Sequence, residues 1–239
     1  MKKLIVILVL ALSMLFSCQN SEMQKYLNDT EAMAREGKYE EALERHLWFH
    51  DHVLEHQPSM AGVRLSFALA YWKGLADVYP PALEAMQKVR DDKTDLINQG
   101  KGSWNLFQDV AALNRTLGED NRTVSLFQNL DKDQPDMAKE CRIIAKEEVI
   151  KAREYDLAIK YIGNLVQDWG NIKSNYDRSI LLIFSKSARE YSKKHFVEET
   201  LLLIDVALAL DDKKAAQEIQ AKALEVLDDN RLKEAITQT

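Results

Sequence analysis

One local pattern recurs five times between Gly37 and Leu201: a turn signal, a bulky apolar residue, then a small residue opening an amphipathic run. The segments are Gly37-Lys38-Tyr39-Glu40-Glu41-Ala42-Leu43, Tyr79-Pro80-Pro81-Ala82-Leu83-Glu84-Ala85, Leu117-Gly118-Glu119-Asp120 leading to Thr123 and Phe127, Arg153-Glu154-Tyr155-Asp156-Leu157-Ala158-Ile159, and His195-Phe196-Val197-Glu198-Glu199-Thr200-Leu201. A unit this small cannot bury its own apolar face, so neighbouring units must stack to share a core. The periodicity within each unit is helical. Ala42, His46, Phe49 and Val53 share one face, as do Leu203, Ile204, Ala207 and Leu208. Only 8 glycines and 4 prolines interrupt 239 residues, which argues for long helices and against a many-stranded β fold.

These segments resemble tetratricopeptide repeats. In that family a glycine ends helix A, an aromatic packs in the turn, and small residues let helices A and B approach. The family pattern sets a second small residue twelve positions before the one on helix B. Ala70 precedes Ala82, Ala111 precedes Thr123 and Ala188 precedes Thr200 by that interval, while Thr30 holds the place before Ala42. Pro135 falls where the family has its terminal proline, and Asp212 takes that place after Thr200. The fourth unit departs, with thirteen positions from Ala145 to Ala158. Successive helix-B markers are 40, 41, 35 and 42 residues apart, longer than the roughly 34 of the ideal repeat. The resemblance implies an all-α fold: a right-handed superhelical solenoid of about five helix pairs over residues 23–212, with residues 213–239 as capping helix and tail. Asp211-Asp212 places acidic charge at the start of that capping helix, predicted over Lys213 to Leu227. Residues 91–102, with Gly100 and Gly102, are the expected joint between units two and three.

The amino terminus reads differently. Lys2 and Lys3 precede an apolar run from Leu4 to Phe16 broken only by Ser13. That run is too short to cross a bilayer as a helix, which needs ~20 residues, and has the length of a secretory signal. Leu15-Phe16-Ser17-Cys18 resembles the bacterial lipobox, although Phe16 is bulkier than the usual residue there. The resemblance implies a signal peptide over residues 1–17, lipid modification of Cys18, and a short tether over residues 18–22. The expected location is the bacterial cell envelope, lipid-anchored to a membrane. Several acyl chains at ~0.8 kcal/mol per buried methylene would hold such a protein stably.

Formal net charge is −6, and removal of Lys2 and Lys3 makes the remainder more acidic. A phosphate-binding surface needs a basic face, so nucleic acid is not an expected partner. The sequence has no nucleophile elbow, zincin motif, phosphate loop or dinucleotide fingerprint, so no catalytic residue and no cofactor is expected. Cys141 sits at an inward-facing repeat position and reads as a structural thiol. Four of five histidines, His46, His50, His52 and His56, lie in one helical stretch. At ~100° per residue the two i, i+4 pairs face about a third of a turn apart, which does not close a tetrahedral metal site.

In tetratricopeptide proteins helix A lines the concave surface. That mapping implies a groove carrying Arg64, Phe67, Tyr71, Arg115, Arg142, Lys146, Arg189 and Lys193, a basic stripe with an aromatic patch on an acidic protein. Such a concavity would steer an acidic segment of a partner protein into it. The expected function is a membrane-anchored, non-enzymatic scaffold for protein–protein interaction. A surface solute- or glycan-binding lipoprotein is the first alternative, and a metal-dependent enzyme built on the histidine helix is the second.

Overall fold

A computed structural model describes residues 22–183 and 185–236. The signal peptide, Cys18 and nearly all of the tether lie outside the described residues. Thirteen α-helices and no strand occur among the described residues. No described helix is long and apolar enough to cross a membrane. The chain divides into two compact units, one through Asp120 and one from Asn121 onward.

In the first unit α1 covers residues 22–35 and α2 covers Tyr39–His56. A 3₁₀ turn at Pro58–Met60 leads through α3 (Ala61–Arg64) to α4 (Phe67–Ala76), α5 (Pro80–Leu96) and α6 (Trp104–Leu117). Leu27 of α1 joins Phe49, Val53, Met60 and Ala68 in one core cluster. Ala42, Leu69, Trp72, Ala82, Met86 and Leu113 form a second, in which α2, α4, α5 and α6 meet. Burying each such large apolar side chain contributes ~1.5–3 kcal/mol, so apolar packing dominates the unit's stability. Between α5 and α6 the expected joint is a continuation of α5 into a π turn, Ile97–Lys101, which Gly100 closes at φ 74°.

In the second unit α7 is Asp120–Asp133, α8 Pro135–Lys151, α9 Tyr155–Ile162, α10 Leu165–Leu182, α11 Lys186–Ala209, α12 Lys213–Val226 and α13 Asn230–Glu234. α11 is the centre of this unit, packing against α8, α9, α10 and α12. Helix starts follow their local chemistry. Asn164 accepts a hydrogen bond from Gln167 N–H at 2.8 Å and Asp212 accepts one from Ala215 N–H at 3.0 Å, while Pro80 and Pro135 occupy first turns, where a missing N–H costs nothing.

Four of the five expected turns are turns. The fifth is not: His195 to Leu201 lies inside the uninterrupted 24-residue α11. The reason is local. The other four carry a breaker or a backbone that reverses: Gly37 at φ 80°, the Tyr79-Pro80 step, Gly118 at φ 73°, and Arg153 at φ 62°. Residues 186–209 contain neither glycine nor proline, so nothing stops the helix. Ala188 and Thr200 therefore share one helix and cannot face each other across a pair. Ala70 is also corrected: it is exposed, and Trp72 makes the close approach to α5 instead, donating Nε1–H to the Ala82 carbonyl at 3.1 Å. Thr30, Ala42, Ala111, Thr123, Ala145 and Ala158 are buried.

Gly118 and Arg153 give opposite expectations because both occupy left-handed backbone. A β-carbon there costs about 1 kcal/mol, so Gly118→Ala should destabilise by that order and Arg153→Gly should stabilise by up to about 1 kcal/mol. Urea unfolding of the two variants checks the signs, and a shared sign would show that backbone strain does not govern these turns.

Candidate functional site

α8, α9 and α10 of the second unit enclose a cleft of about 370 Å³. Its apolar lining comes from Phe127 on α7, Ile143 and Val149 on α8, Leu157 and Ile162 on α9, and Ile172 on α10. Phe127 is fully buried and meets Tyr161 edge-on with centroids 5.1 Å apart. The Tyr161 hydroxyl donates to Asp131, and burial together with that carboxylate drives its pKa upward. Tyr161 is therefore a fixed neutral phenol in the wall. Ile143 at the lip is 71% exposed and adds apolar surface continuous with the lining.

Polar groups line the remaining wall. Arg142 is exposed and donates to the Lys139 carbonyl at 2.5 Å. Lys146 lies 3.1 Å from Asp168 Oδ2 and 4.0 Å from Glu199 Oε1. Asn171 and Asn175, four residues apart on α10, add two amides with donor and acceptor capacity. The four charges of the wall balance, so the cleft is amphipathic and not a basic concavity.

The eight residues assigned to a groove from sequence fall four in each unit. Arg142 and Lys146 line the cleft together. Lys146 is half-buried between two carboxylates, so its charge is already matched. Arg189 donates Nε–H to the Ile183 carbonyl at 2.8 Å and Lys193 pairs with Glu190 at 2.8 Å; neither lines the cleft. The other four belong to the first unit. Phe67 is 64% exposed, Tyr71 half-buried and Arg115 exposed. Arg64 is not a groove residue: it is buried, and its guanidinium grips Asp109 through two nitrogens.

That Arg64–Asp109 pair is the centre of a buried polar cluster built from α2, α3, α5 and α6. Lys93 donates to the same carboxylate. His50 Nε2 lies 3.2 Å from Lys93 Nζ and 3.4 Å from Arg64 Nη1, and Arg64 also donates to the His50 carbonyl at 3.1 Å. Burial raises the Asp109 pKa, but the hydrogen bonds from Arg64 and Lys93 outweigh it and hold the carboxyl below its ordinary value. His50 is pushed down to about 3, by burial first and then by the two cations. His46, buried beside Arg45, is pushed down to about 4. Both rings rest on Trp72, with centroids 6.2 and 6.0 Å away. His52 and His56 instead pack on Trp48 at 5.9 and 5.2 Å, so the two histidine pairs serve different aromatic neighbours. Among the described residues no group of three or more His, Cys, Asp and Glu converges as a metal site. Cys141 is fully buried, and burial pushes its thiol up to about 12, well away from a reactive thiolate.

Sequence reasoning missed Asp109 and Lys93 in the first unit, and Asp168, Asn171, Asn175 and Glu199 in the second. Asp109 did leave a signal: it is a lone acid on the apolar face of α6, between Phe107 and Val110. The residues of α10 left none, because that helix falls outside the recurring pattern. No protein family, curated protein or solved structure matches the chain.

Proposed function

We propose that this protein is a lipid-anchored scaffold of the bacterial envelope, with a tetratricopeptide-like helical body that binds a segment of a partner protein in the cleft between α8, α9 and α10. The observation that carries the reading is the exposed Ile143 beside Arg142 at the lip of an apolar-lined cleft. Apolar floor, balanced charges and two amides suit a peptide segment: its side chains fill the floor and its backbone meets the amides. Because Asp168 and Glu199 already match Lys146, the acidic preference narrows to one carboxylate meeting Arg142. The partner segment is thus mainly apolar with a single acid.

Capture from detergent-solubilised native membranes tests this with the full chain. Wild type should retain a stoichiometric partner, and Arg142→Glu with Ile143→Asp should reduce retention at least tenfold, equivalent to ~1.4 kcal/mol. Both side chains are exposed, so folding should be unchanged by circular dichroism. Equal retention by both proteins would overturn the cleft as the binding site. Cys18→Ala should move the chain from the detergent phase to the aqueous phase, and unchanged partition would overturn the lipid anchor. The cleft volume also falls within the range of small-ligand sites. A purified chain carrying a retained small molecule and no protein partner would favour the solute-binding alternative.

A further inference from the structure

α10 and α11 form a hairpin in the second unit whose tip leaves its apolar side chains uncovered. Leu181 is 78% exposed and Leu182 is 69% exposed, at adjacent positions at the end of α10. Tyr191, on the second turn of α11, is 70% exposed. Isolated exposed leucines need no explanation, but two adjacent ones at a helix end form a concentrated apolar tip, with Ile183 half-buried behind them. Hydrogen bonds are formed on either side of residue 184. Arg189 donates to the Ile183 carbonyl at 2.8 Å, and Ser185 accepts from Ala188 N–H at 3.4 Å to start α11.

The surrounding charge is opposite to that of the protein. Residues 173–195 hold six basic side chains (Lys173, Arg178, Lys186, Arg189, Lys193 and Lys194) against two acidic ones, Asp177 and Glu190, in a chain of net charge −6. Both acids are paired, Asp177 with Lys173 at 2.6 Å and Glu190 with Lys193 at 2.8 Å, and Lys194 pairs with Glu198 at 3.6 Å, so the basic excess rests on Arg178, Lys186 and Arg189. Arg178, Lys186 and Arg189 are exposed on either side of the leucines. An apolar helix end flanked along the chain by exposed cations is complementary to one kind of surface, an anionic bilayer: leucine side chains enter the acyl boundary, cations meet the lipid phosphates, and a tyrosine sits at headgroup level.

We infer that the α10–α11 tip is a second membrane contact, inserting Leu181 and Leu182 into an anionic lipid surface with Arg178 and Lys186 against the headgroups. This contact does not depend on lipid at Cys18, and it orients the body on the membrane, whatever first brings the chain there.

The test places an environment-sensitive fluorophore on the full chain at Leu182→Cys. Cys141 is buried, and wild type labelled in parallel gives the background from Cys18. With vesicles of one part phosphatidylglycerol to two parts phosphatidylcholine, emission should shift to the blue and be quenched by brominated acyl chains. With phosphatidylcholine alone the response should be small. Arg178→Glu with Lys186→Glu should reduce the inserted fraction at least tenfold, with no change in thermal unfolding. Emission matching that in buffer with both vesicle types would overturn the proposal, as would an equal response to both. A blue shift that grows with protein concentration in the absence of vesicles would also overturn it, and would assign the tip to a second copy of the chain.

Discussion

Replacing Asp109 by alanine should destabilise the first unit by about 3–5 kcal/mol, the range for breaking a buried ion pair from one side. The carboxylate is the shared acceptor for Arg64 and Lys93, and the Arg64 and Asp109 side chains are only 8% and 7% exposed. Without it, two cations converge on His50 Nε2, which in the neutral ring offers at most one lone pair. The loss therefore comes mainly from the stranded charges and less from the bond itself. A loss of that size would be a large share of the stability of a domain this small. Replacing the pair together, Arg64→Met with Asp109→Leu, should restore part of it, because one stranded cation is removed while Lys93 still loses its acceptor. Urea unfolding monitored at Trp72 and circular dichroism would measure both. A single-variant loss below about 1 kcal/mol would mean that water reaches the cluster and screens it.

The same region should make the first unit acid-labile well above the carboxylate range. His46 and His50 titrate at about 4 and about 3 when folded, against about 6.5 when unfolded. The unfolded chain then binds more protons between pH 6.5 and 4, and stability falls as pH is lowered through that window. A tenfold difference in proton affinity between the two states is worth ~1.4 kcal/mol, so the two rings together should cost roughly 3–5 kcal/mol between about pH 7.5 and 4.5. The groups facing these rings act in the same direction. Arg45 lies beside His46, and Lys93 and Arg64 lie against His50, with Asp109 alone opposing. Asp109, held below its ordinary value, extends the loss below about pH 4. His46→Phe should flatten the upper part of the profile, since its ring already stacks on Trp72. A wild-type urea midpoint that stays constant from about pH 7.5 to 5 would contradict neutral burial of both histidines.

Much of the architecture is legible in the sequence because it depends on neighbours along the chain. Gly37, Gly118 and the Tyr79-Pro80 step end or start helices through backbone geometry that no distant contact needs to supply. The helix expected after Asp212 begins directly there, and it runs Lys213–Val226 against an expected Lys213 to Leu227. The fifth turn fails because the spacing pattern extends past the point where its physical cause, a breaker, is present. Thr200 at the right interval does not stop a helix that contains no glycine or proline.

The candidate site divides along the same line. Arg142 and Lys146, expected together from the repeat resemblance, do lie together because side chains four apart on a helix share a face. Which charges oppose them cannot be named from sequence: Asp168 is 22 residues away from Lys146, and Glu199 is farther still on α11. Arg64 shows the other side of this. Its sequence position fits a groove, and only tertiary packing supplies Asp109, 45 residues on, to draw it inside. The sequence alone determined an all-helical chain, the positions of four turns and the division of the histidine helix into two pairs that face apart, because periodicity and breakers act locally along the chain. Tertiary structure decided which ionic groups are matched across helices and which stay exposed, because charge pairing is set by distances between helices, and no spacing rule within a helix encodes them.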